Sequence, residues 1–224
     1  MDNLIYILFI SIFVPLFLMM AVIDKKARLP LIFVLVGICV SLLASEINGL
    51  ILNALSIDEY KVSINIAPIT EEILKVLPVL FFAVVISDKK ETLFTISISI
   101  GIGFAILENA YVLLINSEKF FMITGIIRGF GTGLMHGMCT LLVGFGISFV
   151  KKKKKLFFIG TFALLATAIT YHSIFNMLVQ SSYQIIGALL PIATYTPFFV
   201  WRNIVKKKSN TDNNKEEKTY EEVS

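Results

Sequence analysis

VSINIAPITEEILKVLPVLFFAVVIS, residues 62–87, decides how this chain is read. At about 1.5 Å of rise per residue the stretch is long enough for a helix crossing a hydrocarbon core of about 30 Å. Inside it stand Glu71, Glu72 and Lys75. A charged side chain at such depth costs at least about 2.5 kcal/mol, and adjacent carboxylates repel each other, so an apolar residue is the cheaper occupant unless the pair has work to do. Lys75 follows Glu71 by four residues and Glu72 by three, so in a helix its ammonium can reach either carboxylate. Pro68 and Pro78 remove backbone donors nearby and predict a bend or a locally opened turn.

The rest of the chain has the same character. It is 56% hydrophobic and 16% charged, with long apolar runs separated by short charged clusters, which excludes a water-soluble domain and predicts an all-α, polytopic transmembrane helical bundle. Seven runs have the length of a span: residues 4–23, 30–48, 62–87, 92–115, 122–150, 156–178 and 185–204. Glu46 and Gly49 interrupt the second, and an eighth, re-entrant or interfacial piece over residues 46–57 is the alternative. The first run has no basic stretch before it and no small-residue cleavage site, so it reads as a retained span. Residues 1–208 form the membrane domain, and residues 209–224, SNTDNNKEEKTYEEVS, are expected to be a disordered tail. Cys39 and Cys139 both fall inside spans, so no disulfide framework is implied and both read as buried small hydrophobes.

Lys25, Lys26 and Arg28, Lys89 and Lys90, Lys151 to Lys155, and Arg202 with Lys206 to Lys208 follow alternate spans; the opposite loops carry only Lys61 and Lys119. Positive charge accumulates on the cytoplasmic side, so the N-terminus is expected outside and the C-terminus in the cytoplasm. The same clusters explain the net charge of +4 through lipid headgroups, and nucleic acid is not implied as a partner.

Depth brings the polar residues together. Counted from the cytoplasmic ends of their runs, Glu72 lies about 24 Å deep, Glu108 about 26 Å, His136 about 22 Å and His172 about 26 Å. Ionisable groups on separate helices at one depth point to a shared internal cavity, in the half of the membrane nearer the extracytoplasmic side. Gly125, Gly129, Gly133 and Gly137 recur every four residues on the run that carries His136, a pattern expected to serve close helix packing. Arg128 reads as an interfacial anchor, ahead of a role in binding substrate. Asn109 reads as satisfying groups within the bundle or positioning Glu108.

Together these residues resemble a known pattern: EExxK at Glu71, Glu72 and Lys75, FxxxEN at Phe104, Glu108 and Asn109, His136 in a glycine-rich helix, and HxxxN at His172 and Asn176. The arrangement is similar to the PrsW family of intramembrane proteases, grouped with type II CAAX prenyl endopeptidases and bacteriocin-processing proteins. Residues 62–178 carry the likeness. Glu108 replaces the His of the CAAX-type FxxxH, and Lys75 comes one residue before the Arg of EExxxR, so the resemblance favours PrsW over prenyl endopeptidases. It implies a membrane-embedded endopeptidase making the first, outer-side cut in a membrane-anchored protein, an anti-sigma factor.

Peptide hydrolysis needs an activated water, a stabilised oxyanion and a proton for the leaving amine. Glu71 or Glu72 is the expected general base, with Glu108 and His136 orienting the water directly or through a metal, and His172 and Asn176 facing the oxyanion. A zinc ion held by Glu108, His136 and His172 is one version, although HExxH is absent. A non-catalytic scaffold of the same fold and a proton or ion transporter are the rival readings; no internal repeat supports the transporter. The orientation is checked by a reporter fused after Ser224 that is active only in the cytoplasm; strong activity is expected, and silence from a stably inserted fusion reverses the topology.

Overall fold

The computed structural model describes residues 3–115, 122–150, 154–197 and 200. Helix α1 (Leu4–Met19) leads to α2 (Lys25–Leu55), then a short α3 (Glu59–Lys61), a π-helical turn (Val62–Ile66) and α4 (Ala67–Val85). α5 (Lys90–Ile115) precedes α6 (Met122–Ile127), a second π-helical turn (Arg128–Thr132) and α7 (Gly133–Ile147). α8 (Lys154–Val179) and a last helix, α9, over residues 184–197 complete an all-helical bundle without a strand among the described residues. The tail expected over residues 209–224, Lys119, Lys151 to Lys153, and the basic cluster at Arg202 and Lys206 to Lys208 lie outside the described residues.

Four helical stretches are long and apolar enough to cross a membrane among these residues: Lys25–Leu55, Lys90–Ile115, Arg128–Ile147 and Phe157–Val179. α4 has 19 residues but carries Glu71, Glu72 and Lys75, so composition alone does not mark it. The separate piece considered over residues 46–57 does not form, because α2 runs unbroken to Leu55. One glycine costs a helix only about 1 kcal/mol, and Glu46 accepts a hydrogen bond from the Tyr6 hydroxyl of α1 at 2.7 Å, so neither interrupts it. The helix stops at Ser56, whose φ of 50° lies in the left-handed region that ends helices.

α5 lies between α2 and α7, and glycines set how closely. A Cβ on Gly103 would strike the Val34 carbonyl of α2, and one on Gly101 would strike the His136 carbonyl of α7. The stripe at Gly125, Gly129 and Gly133 does not serve packing among the described residues: a Cβ there meets nothing within 4 Å, and at Gly137 only the Ile102 Cδ1 at 3.8 Å. The second π turn, at residues 128–132, also interrupts the stripe. Its one additional residue turns the upper helix by about 100° relative to α7, so a register continuous in sequence is broken in space. α7 instead meets its neighbours through Gly144, against the Ser97 side chain, and Gly146, against Thr161.

Val76, Val79, Phe82, Ile96, Ile100, Met135, Cys139, Val143, Ala168 and Phe175 form one buried cluster joining α4, α5, α7 and α8. Cys139 is buried as expected, whereas Cys39 is exposed on the outer side of α2, because a 31-residue helix with one face on the bundle leaves the other free. Exposed apolar side chains such as Ile7, Leu18, Leu50, Phe81 and Phe162 suit a surface solvated by hydrocarbon.

Gly101→Ala is expected to cost about 1–3 kcal/mol through overpacking, whereas Gly49→Ala, which meets nothing within 4 Å, is expected to stabilise α2 by up to about 1 kcal/mol. Thermal unfolding of both variants in detergent checks this difference.

Candidate active site

Four helices each deliver part of one polar cluster. One turn of α4 places Glu71, Glu72 and Lys75 inward; α5 contributes Glu108 and Asn109, α7 His136, and α8 His172 and Asn176. Glu72, Lys75 and His136 have no exposed surface, and His172 is 1% exposed, so water does not screen their charges and each requires a partner inside the protein.

The Lys75 ammonium meets Glu72 Oε1 at 2.6 Å and His136 Nδ1 at 2.7 Å, above the face of Phe104 at 4.6 Å. An ammonium has donors only, so Nδ1 accepts and the ring proton lies on Nε2, which donates to Glu108 Oε2 at 2.6 Å. The other Glu108 oxygen accepts from Arg128 Nη2 at 3.0 Å. Arg128 Nε donates to Asn109 Oδ1 at 3.2 Å, and Asn109 Nδ2 returns a bond to the Arg128 carbonyl at 3.1 Å. Arg128 is therefore not a free interfacial anchor. A carboxylate within reach draws the guanidinium inward, where its side chain is 16% exposed.

His172 meets Glu72 Oε1 through Nδ1 at 2.8 Å, and its Nε2 lies 3.7 Å from Glu71 Oε2. The rings of His136 and His172 stand 4.8 Å apart and nearly perpendicular. Glu71 Oε2 and Glu72 Oε2 are buried without a hydrogen-bond partner. Ligating atoms of Glu71, His136 and His172 lie within 4.8 Å of one another, so the carboxylate of the metal-capable set is Glu71 and not Glu108. Glu108 is instead held between His136 and Arg128. The donor set of two imidazoles and one carboxylate fits a catalytic metal, as does the unpartnered buried oxygen of Glu71.

Asn176, expected to face the oxyanion, points elsewhere: its Nδ2 donates to the Ser63 carbonyl in the first π turn at 2.9 Å. Sequence reasoning missed Asn48 of α2. Its Nδ2 faces Glu71 Oε1 at 3.5 Å, while its Oδ1 accepts from Thr70 Oγ1 at 2.6 Å. The available signal was a polar side chain in an apolar run, and beside Glu46 and Gly49 it read as part of an interruption.

A polytopic helical bundle that buries a histidine and glutamate cluster able to hold a metal defines the class, a membrane-embedded hydrolase site. Residues 25–202 match the family model described as PrsW family intramembrane metalloprotease, and the chain belongs to that family. It is accordingly a multi-pass membrane peptidase acting on membrane proteins. No curated protein and no solved structure matches the chain.

Lys75→Met leaves the Glu72 charge without its cation and is expected to lower stability by about 3–5 kcal/mol. Adding Glu72→Gln is expected to recover most of that loss, as measured by a double-mutant cycle in detergent.

Proposed function

We propose that this peptidase uses a zinc ion held by Glu71, His136 and His172 to cut a membrane-anchored protein near the extracytoplasmic face, the substrate being an anti-sigma factor. The convergence of those three side chains carries the reading. Bound there, zinc would polarise the scissile carbonyl and activate water. His172 Nε2 lies 3.7 Å from Glu71 Oε2, which has no hydrogen-bond partner among the described residues, while His136 would exchange one of its two partners to join them.

The remaining residues orient and balance that set. Glu72 accepts from His172 Nδ1 and leaves Nε2 as the ligating atom, the usual way a carboxylate fixes a metal-bound imidazole. Its second oxygen, Oε2, is free to take a proton from water. Arg128 and Glu108 restrain His136, and Lys75 balances the carboxylate charge. Exposure rises from zero at Glu72 to 29% at Glu108, so water and a peptide segment reach the cluster from the Glu108 and Arg128 side. Support for an outer-side cut comes from the depths counted along the sequence together with the positive charge on the opposite loops. The anti-sigma substrate follows from the resemblance carried by EExxK, FxxxEN and HxxxN.

Alanine at Glu71, His136 or His172 is expected to abolish both zinc retention and cleavage of a membrane-anchored anti-sigma factor while the protein still inserts. Alanine at Glu108 or Arg128 is expected to reduce either by about 10–100-fold. Wild-type turnover from the first group overturns the assignment, and full activity after exhaustive chelation removes the metal.

A further inference from the structure

The two π-helical turns stand immediately before the two helices that carry Glu71, Glu72 and His136. In the first, the Ala67 amide reaches back five residues to the Val62 carbonyl. In an α-helix that amide would have served Ser63. The next amide along the wider ladder would belong to residue 68, which is Pro68 and has none. The Ser63 carbonyl is thus left without a donor from its own helix, by a proline two residues before Thr70 and three before Glu71.

Asn176 fills that gap. Its side-chain amide reaches the Ser63 carbonyl from α8 at 2.9 Å, and one turn further Gln180 Nε2 donates to Ser63 Oγ at 2.7 Å. The second turn also receives a side-chain amide, since Asn109 donates to the carbonyl of Arg128, its first residue, at 3.1 Å, although no proline follows there to remove a backbone donor. Each asparagine lies in the same motif as a site residue: Asn176 follows His172 by four positions and Asn109 follows Glu108 directly.

We propose that Asn176 is a positioning residue which, by capping the Ser63 carbonyl that Pro68 leaves unpaired, holds the π turn open and sets the rotation of Glu71 and Glu72 toward His172. A turn that slipped back to α geometry would rotate α4 by about 100° and carry both carboxylates off the histidines. α8 thereby places His172 in the cluster and, one turn later, fixes the helix that His172 must meet. The role rests on the Glu71 and Glu72 chemistry proposed above, but the bond itself is measurable without any catalysis.

The test uses the full chain in detergent and follows amide hydrogen exchange over residues 62–72. Asn176→Leu and the isosteric Asn176→Asp, which as a carboxylate cannot donate, are both expected to speed exchange there about ten-fold, the scale of an abandoned buried acceptor. Amides of α5 are expected to stay unchanged. Pro68→Ala restores a backbone donor that the π ladder can direct at Ser63, so Pro68→Ala combined with Asn176→Leu is expected to return exchange to the wild-type rate and recover kcat, with KM constant throughout. Unchanged exchange in both single variants overturns the proposal. So does loss of cleavage that Pro68→Ala leaves unrepaired while exchange is repaired, for then Asn176 acts on substrate. If no variant, wild type included, cleaves a membrane-anchored substrate, the protease reading fails while the exchange result still decides the clasp.

Discussion

A lysine with no exposed surface, 2.6 Å from a carboxylate and 2.7 Å from an imidazole, is the constraint on which the interior depends. Removed from water, the Lys75 charge is tolerable only if Glu72 and His136 are in place, and those residues carry requirements of their own. Following them outward gives one chain of contacts: His172 to Glu72, Glu72 to Lys75, Lys75 to His136, His136 to Glu108 and Glu108 to Arg128. It links α4, α5, α7, α8 and the second π turn. Such a network adds less to net stability than to specificity, because misplacing any one helix strands a charge in a low-dielectric interior.

Glycine contacts and π turns supply the tolerances this chain demands. Gly101 lets α5 pass directly beside the His136 carbonyl, which holds Glu108 and His136 within one short hydrogen bond. The π turns rotate the glutamate and histidine helices without ending them; Asn176 covers the Ser63 carbonyl that Pro68 leaves without a donor, and Asn109 adds a bond to the Arg128 carbonyl. Motif residues that look chemical in sequence therefore divide into two kinds. Ligating atoms of Glu71, His136 and His172 converge, with Glu72 bonded to His172 beside them, whereas the asparagines grip backbone at the margins.

This division accords with a membrane peptidase of the PrsW family. A hydrolase within a bilayer must keep charged groups dry enough to be strong and still admit water. The gradient from fully buried Glu72 to a 29% exposed Glu108 meets both needs.

The sequence by itself determined the all-helical class and identified Glu71, Glu72, Lys75, Glu108, His136 and His172 as belonging together. Charges in apolar runs are costly enough to stand out, and helical rise turns their positions into a common depth. Tertiary structure alone decided which atoms meet. It put Glu71 rather than Glu108 in the metal-capable set with the two histidines, left Glu108 between His136 and Arg128, turned Arg128 inward, brought in Asn48 from α2 and directed Asn176 to the Ser63 carbonyl. Among the described residues it also left Gly125, Gly129 and Gly133 without the packing role that their spacing suggested. The reason is rotational: depth along a helix accumulates residue by residue and is readable from spacing, whereas the direction a side chain faces shifts by about 100° with one π insertion that spacing does not reveal.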